Sequence, residues 1–148
     1  MSDYDIDLSR WAEEQAALLR RRAAGELVND TDLDWQNIAE EIEAVGGNTR
    51  RELRNRLVKL LQHLLKWHYQ PEHRSRSWRL TIRTQRREIE DLLADNPSLK
   101  AKLPELFLAA YARARTDALE ETGLLDLPQV SPFTVEQTLG DPLADDVR

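Results

Sequence analysis

The chain contains no cysteine, which excludes disulfides, thiolate zinc sites and cysteine nucleophiles. Nor has it an apolar run near the ~20 residues needed to cross a bilayer. The opening Met1-Ser2-Asp3-Tyr4-Asp5 is acidic where a secretory leader would be basic, so a cytoplasmic location is expected. Gly-rich phosphate loops and nucleophile elbows are absent. The three histidines, His63, His68 and His73, are spaced by five, so no pair stacks on one helical face as zinc motifs require. No glutamate precedes a histidine by three, which removes the di-iron signature of ferritin-like bundles. No metal and no cofactor is expected.

What is present is charge. Of 148 residues, 32% are charged and 41% hydrophobic, the balance of a soluble globular domain. The net charge of −6 is unevenly spread. Residues 47–102 carry 14 Lys/Arg against 6 Asp/Glu, whereas both flanks are acidic. Such a basic hairpin can bind a polyanion or neutralise its own flanks on folding. Arg79, Arg83 and Arg87 form an i, i+4 row, and Arg50, Arg51, Arg54 and Lys59 cluster upstream. Because Glu88, Glu90 and Asp91 interrupt the row, a salt-bridged face is favoured over a nucleic-acid groove.

Apolar residues recur at helical spacing in five segments, and nothing alternates like a strand. The first, Leu8 to Ala24, stops at Gly25; the second, Asp34 to Val45, faces Trp35, Ile38, Ile42 and Val45 inward and stops at Gly46-Gly47. The third, Thr49 to Tyr69, carries the stripe Leu53, Leu57, Leu60, Leu61 and Leu64 until Pro71 breaks it. The fourth begins near Ser75 or Ser77 and packs Ile82, Ile89, Leu92 and Leu93. The fifth runs to Thr122 before Gly123, kinked or restarted at Pro104, with Ala110, Ala114 and Ala118 at close-approach spacing. An irregular tail from Leu124 to Phe133 should plug grooves with its Leu and Phe, followed by a short helix near Thr134 to Leu139. The expectation is an all-α, up-and-down bundle of four to five helices with a wrapping C-terminal tail. Residues 1–139 form one domain in this reading, 140–148 a flexible acidic tail, and all four tryptophans are largely buried.

Polar residues sit on or beside these apolar faces: Gln15, Glu41, His63, Gln85, Arg86, Asp117 and Glu121. Buried polar groups cost ~1–3 kcal/mol each unless hydrogen-bonded, so they should find one another. The candidate site is therefore His63, Glu41, Glu121, Arg86 and Gln85, either as a structural network or as an acid–base site. In the second case His63 titrates near neutrality, Glu41 or Glu121 orients it, and Arg86 or Lys66 holds an anionic group. A divalent ion on Glu41, Glu43 and Glu121 is a variant of the same idea.

Several blocks also carry a resemblance: Trp11-x-x-x-Gln15, Asp34-Trp35-Gln36-Asn37-Ile38, His63-Leu64-Leu65-Lys66-Trp67, Arg74-Ser75-Arg76-Ser77-Trp78, Gln85-Arg86, Asn96-Pro97 and Glu120-Glu121-Thr122-Gly123. In order and spacing the chain resembles domain-of-unknown-function family twenty-nine, small bacterial proteins, from Tyr4 to Phe133. The resemblance implies an all-helical domain and no particular activity. It keeps His63, Trp67, Trp78, Gln85, Arg86 and Glu121 on motif positions, and departs from the pattern at His68. With no catalytic motif in view, the favoured function is a non-enzymatic protein-interaction module, binding itself as a homo-oligomer or another protein. An enzyme built on His63 is the alternative, and nucleic-acid binding through residues 50–102 the least favoured.

Overall fold

A computed structural model describes residues 2–140; the acidic tail expected beyond Gly140 lies outside them. Every regular element among the described residues is helical, as the periodicity predicts. Six α-helices follow in order: α1 (Asp3–Ile6), α2 (Leu8–Ala23), α3 (Trp35–Tyr69), α4 (Arg76–Asp95), α5 (Leu103–Thr122) and α6 (Val135–Leu139). Two compact units divide the chain between Asn48 and Thr49.

In the N-terminal unit, Asp7 caps α2 by accepting from the Arg10 amide at 3.1 Å. The helix ends in a Schellman turn: the Gly25 amide bonds the Arg22 carbonyl and the Glu26 amide bonds that of Arg21. Gly25 supplies the left-handed φ of 89° that this turn requires. Trp11 is buried edge-on to Tyr4, their ring centres 4.8 Å apart, and its indole N–H donates to Asp34 at 2.9 Å. Gln15 clamps the following loop, accepting from the Asp34 amide at 2.8 Å and donating to the Asp32 carbonyl at 3.2 Å. The Tyr4 hydroxyl donates to Glu41 at 2.6 Å. That bond lifts the phenol pKa to about 12 by favouring its protonated form.

Two expectations need correction here. Gly46-Gly47 does not stop a helix; α3 runs straight through it for 35 residues. A glycine stop needs a left-handed φ, and among the described glycines only Gly25 and Gly123 have one. Carrying two glycines in a helix costs about 2 kcal/mol against alanine. Breaking the helix would instead strand up to four carbonyls and four amides. The inward face of the first turns is also different. Asp34, Asn37, Ile38 and Glu41 are half-buried, whereas Ile42 and Val45 are about two-thirds exposed. The polar bonds of Trp11 and Tyr4 choose the face, not the apolar stripe. Trp35, expected to be buried, is 48% exposed with the Arg22 guanidinium 5.8 Å above its ring.

The C-terminal unit holds the main core. Leu53, Leu57, Leu60, Leu61 and Leu64 on α3 are fully buried, as their spacing predicts. They meet Ile82, Ile89 and Leu93 of α4 and Phe107, Ala110, Ala114 and Ala118 of α5. Ser75 rather than Ser77 caps α4, accepting from the Trp78 amide at 3.2 Å. Pro104 restarts the chain: residues Pro97–Lys102 form a 3₁₀ turn and α5 follows at Leu103. Gly123, at φ 73°, ends α5. Leu127 and Phe133 of the tail are buried in the core as expected, and Thr134 caps α6.

Candidate functional site

The break between α3 and α4 builds the most distinctive concavity. Pro71 cannot continue α3, so a short 3₁₀ turn over Pro71–His73 reverses the chain. Arg74 then donates from Nε to the Trp67 carbonyl at 2.8 Å, satisfying one of the last acceptors of α3. Its guanidinium lies 5.0 Å from the Trp67 ring centre, and that of Arg79, one turn into α4, lies 5.5 Å from it. Both distances fall within cation–π range.

Around this stack a pocket of about 540 Å³ is lined by Trp67, Arg74, Ser75, Arg76, Arg79, Leu80 and Arg83. Among the described residues the lining holds four arginines and no carboxylate. The N-terminus of the 20-residue α4 adds a partial positive charge of about half an electron at the same place. Trp67 is 1% exposed, and its buried indole N–H has no acceptor among the described residues. Such a donor costs about 1–3 kcal/mol unless something accepts from it. A concave wall that holds several guanidiniums is chemistry for holding an oxyanion.

The residues singled out by sequence are distributed among different partners. His63 is half-buried on α3 with Nδ1 2.8 Å from the Lys59 carbonyl, an acceptor, so Nδ1 carries the hydrogen and Nε2 the lone pair. Burial is the main influence holding its pKa below the ordinary value; the nearby Lys66 charge acts the same way, while the carbonyl bond and Glu121 oppose it. Glu121 accepts from Lys66 Nζ at 2.9 Å and from Gln62 Nε2 at 2.6 Å. The Lys66 bond, first, keeps its carboxyl below the usual range. His63 and Glu121 thus share one electrostatic neighbourhood on α3 and α5, but a backbone carbonyl orients the imidazole and an ammonium holds the carboxylate.

The other three look elsewhere. Gln85, 7% exposed, accepts from Arg56 at 3.3 Å. Arg86 donates to the carbonyls of Thr138 at 2.9 Å and Gln137 at 3.2 Å, fastening the end of α6. Glu41 belongs to the N-terminal unit and is held by Tyr4. Among the described residues no three His, Asp or Glu side chains stand close enough to hold an ion. His68 is exposed, its ring edge against Tyr69 and Phe133.

The pocket itself was not assembled from sequence, although its residues were in view. Trp67 and Arg74-Ser75-Arg76 belong to the most recognisable blocks of the chain. The signal that would have found them is local: a tryptophan, a proline break four residues later, then a capped helix opening with arginines one turn apart.

Among the described residues no helix is long and apolar enough to cross a membrane. No curated protein and no solved structure matches the chain. The family model described as Domain of unknown function DUF29 matches residues 4–143, nearly the whole length, and the chain belongs to that family.

Proposed function

We propose that this protein is a non-enzymatic interaction module of the bacterial cytoplasm, and that its pocket docks an anionic group presented by another protein. The observation that carries this reading is the 540 Å³ pocket, whose lining among the described residues holds four arginines, Arg76 and Arg83 of them exposed, and no carboxylate. Two of those arginines lie over the Trp67 ring, which leaves them less side-chain freedom to lose on binding. Leu80, at 48% exposure, gives the rim an apolar contact of the kind protein partners use. The net charge of −6 opposes a long polyanion such as duplex DNA, while a single anionic group feels mainly the local field.

The test is fluorescence anisotropy of a labelled hexaglutamate peptide with the wild-type protein and with Arg83→Glu, an exposed lining residue. Saturable binding that weakens about tenfold or more on charge reversal is expected, corresponding to about 1.4 kcal/mol or more. Binding of equal strength to both proteins would place the contact away from this pocket and overturn the reading.

A further inference from the structure

We infer that the first three turns of α3 form a second docking face, and that its occupant is an amphipathic helix with basic flanks on another protein. The face lies wholly within the N-terminal unit and shares no residue with the arginine pocket.

These turns have their polar side turned inward. Asp34 accepts from the Trp11 indole and Glu41 from the Tyr4 hydroxyl, and both carboxylates are half-buried. The apolar residues Trp35, Ile38, Ile42 and Val45 follow at steps of three, four and three, the spacing with which one helix receives another. Trp35, Ile42 and Val45 are exposed, and Ile38 is half-buried between them. Single apolar residues on a surface are ordinary, whereas a contiguous stripe marks an interaction site. This one is about 15 Å long, enough for three turns of a partner helix. Ala39 and Gly46 stand beside it, both exposed, and a Cβ on Gly46 would meet nothing within 4 Å. Low walls there let a second backbone approach Ile42 closely.

Charge names the occupant. Residues 1–48 carry 12 Asp/Glu against 4 Lys/Arg, a net of −8 (4 − 12). Three of those arginines are paired inside the unit: Arg10 with Glu14, Arg21 with Glu26, and Arg22, which lies over Trp35, with Asp30. Glu40 and Glu43 are exposed on the same turns as the stripe. A field of that sign repels nucleic-acid phosphates and anionic lipid headgroups, and it repels a second copy of the same unit. It attracts a basic helix, one whose apolar residues cover the stripe while its lysines or arginines meet Glu40 and Glu43. Trp35 is the anchor, because large aromatic side chains carry much of the energy of such contacts.

The experiment uses the intact protein and three labelled synthetic peptides. The first has leucines at the same three-four spacing and lysines on the flanks. The second scrambles those residues so that the leucines leave one face, and the third replaces the lysines with glutamates. Anisotropy measures affinity, and tryptophan emission reports the site. The first peptide is expected to bind at least tenfold more tightly than either control. At saturation it should shift the emission to shorter wavelength in wild type but not in Trp35→Phe, because Trp11 and Trp67 are already buried. Ile42→Gln and Glu43→Lys are each expected to weaken binding about tenfold with the urea midpoint unlowered, since both side chains are exposed. A scrambled peptide that binds as tightly as the first overturns the helical stripe, and an acidic one that does so overturns the charge argument. Equal binding to Ile42→Gln, or no binding at all, overturns the docking face. Self-association of the protein that Ile42→Gln abolishes overturns the separate partner and makes a second copy of the chain the occupant.

Discussion

Lys66 is the most exacting test of the core, because only 4% of it is exposed and its ammonium is satisfied chiefly by one half-exposed carboxylate. The Trp78 ring, 5.0 Å away, gives a second and weaker contact. Replacing Glu121 with glutamine keeps an acceptor oxygen in place and removes its charge. A hydrogen bond to a charged group contributes about 1.5–3 kcal/mol, and a neutral acceptor retains part of that. Because Glu121 is half in water, solvent relieves the stranded ammonium further. Glu121→Gln should therefore cost about 1–2 kcal/mol at neutral pH, a fall of roughly 3–6 °C in midpoint for a chain of this size. Lys66→Met removes the cation that needs a partner and leaves a solvated carboxylate, so it should cost less, below about 1 kcal/mol. The double variant should resemble Lys66→Met alone. Urea denaturation followed by circular dichroism measures all three. The carboxyl is held below its unfolded value, so its contribution exists above the ordinary carboxylate range and fades as pH falls through the folded pKa. Wild type and Glu121→Gln should accordingly converge as pH falls below the ordinary carboxylate range. A glutamine variant no less stable than Lys66→Met would refute the reasoning, and would suit the view that the pair is kept for function at a cost in stability.

Two further outcomes follow from geometry already described. Gly46→Ala should raise stability by about 0.5–1 kcal/mol, since the site is helical and a Cβ there meets nothing within 4 Å; a lowered urea midpoint would contradict the unbroken α3. His63 is held neutral by burial, so protonating it favours unfolding: stability should rise with pH through the window below about 6.5, and His63→Gln should flatten that rise in pH-dependent melting curves.

The leucine stripe of α3, the Ser75 cap, the Gly123 stop and the plugging Leu127 and Phe133 were legible because each rests on contacts a few residues apart or on simple burial. The Gly46-Gly47 stop was misread because a glycine permits a left-handed turn without requiring one. What decides is the cost of the backbone groups a break would expose. The inward face near Ile42 was misread for a different reason. Its partners are the Tyr4 hydroxyl and the Trp11 indole, and pairings over 37 and 23 residues leave no periodic trace. The arginine pocket fell between the two cases. Its residues are close in sequence, but counting charges places Arg79 and Arg83 in a surface row with Arg87, whereas the turn at Pro71 brings them to one pocket with Trp67, Arg74 and Arg76.

The fastening of the C-terminal segment has a consequence for how freely that segment can vary. Tyr111 donates to the Pro128 carbonyl, Arg115 to that of Leu127, and Arg86 to those of Gln137 and Thr138. All three anchors lie on the helices, and what they grip is main chain. A carbonyl is the same whichever amino acid carries it, so these bonds are blind to the side chains of the segment being held. The side chains that do read its spelling include the buried Leu127, Phe133 and Thr138, and Asp126, which pairs with Arg115 at 2.9 Å. A library randomised at Gln129, Val130 and Glu136 should therefore dock the same segment in the same path, with diversity presented to solvent from a fixed backbone.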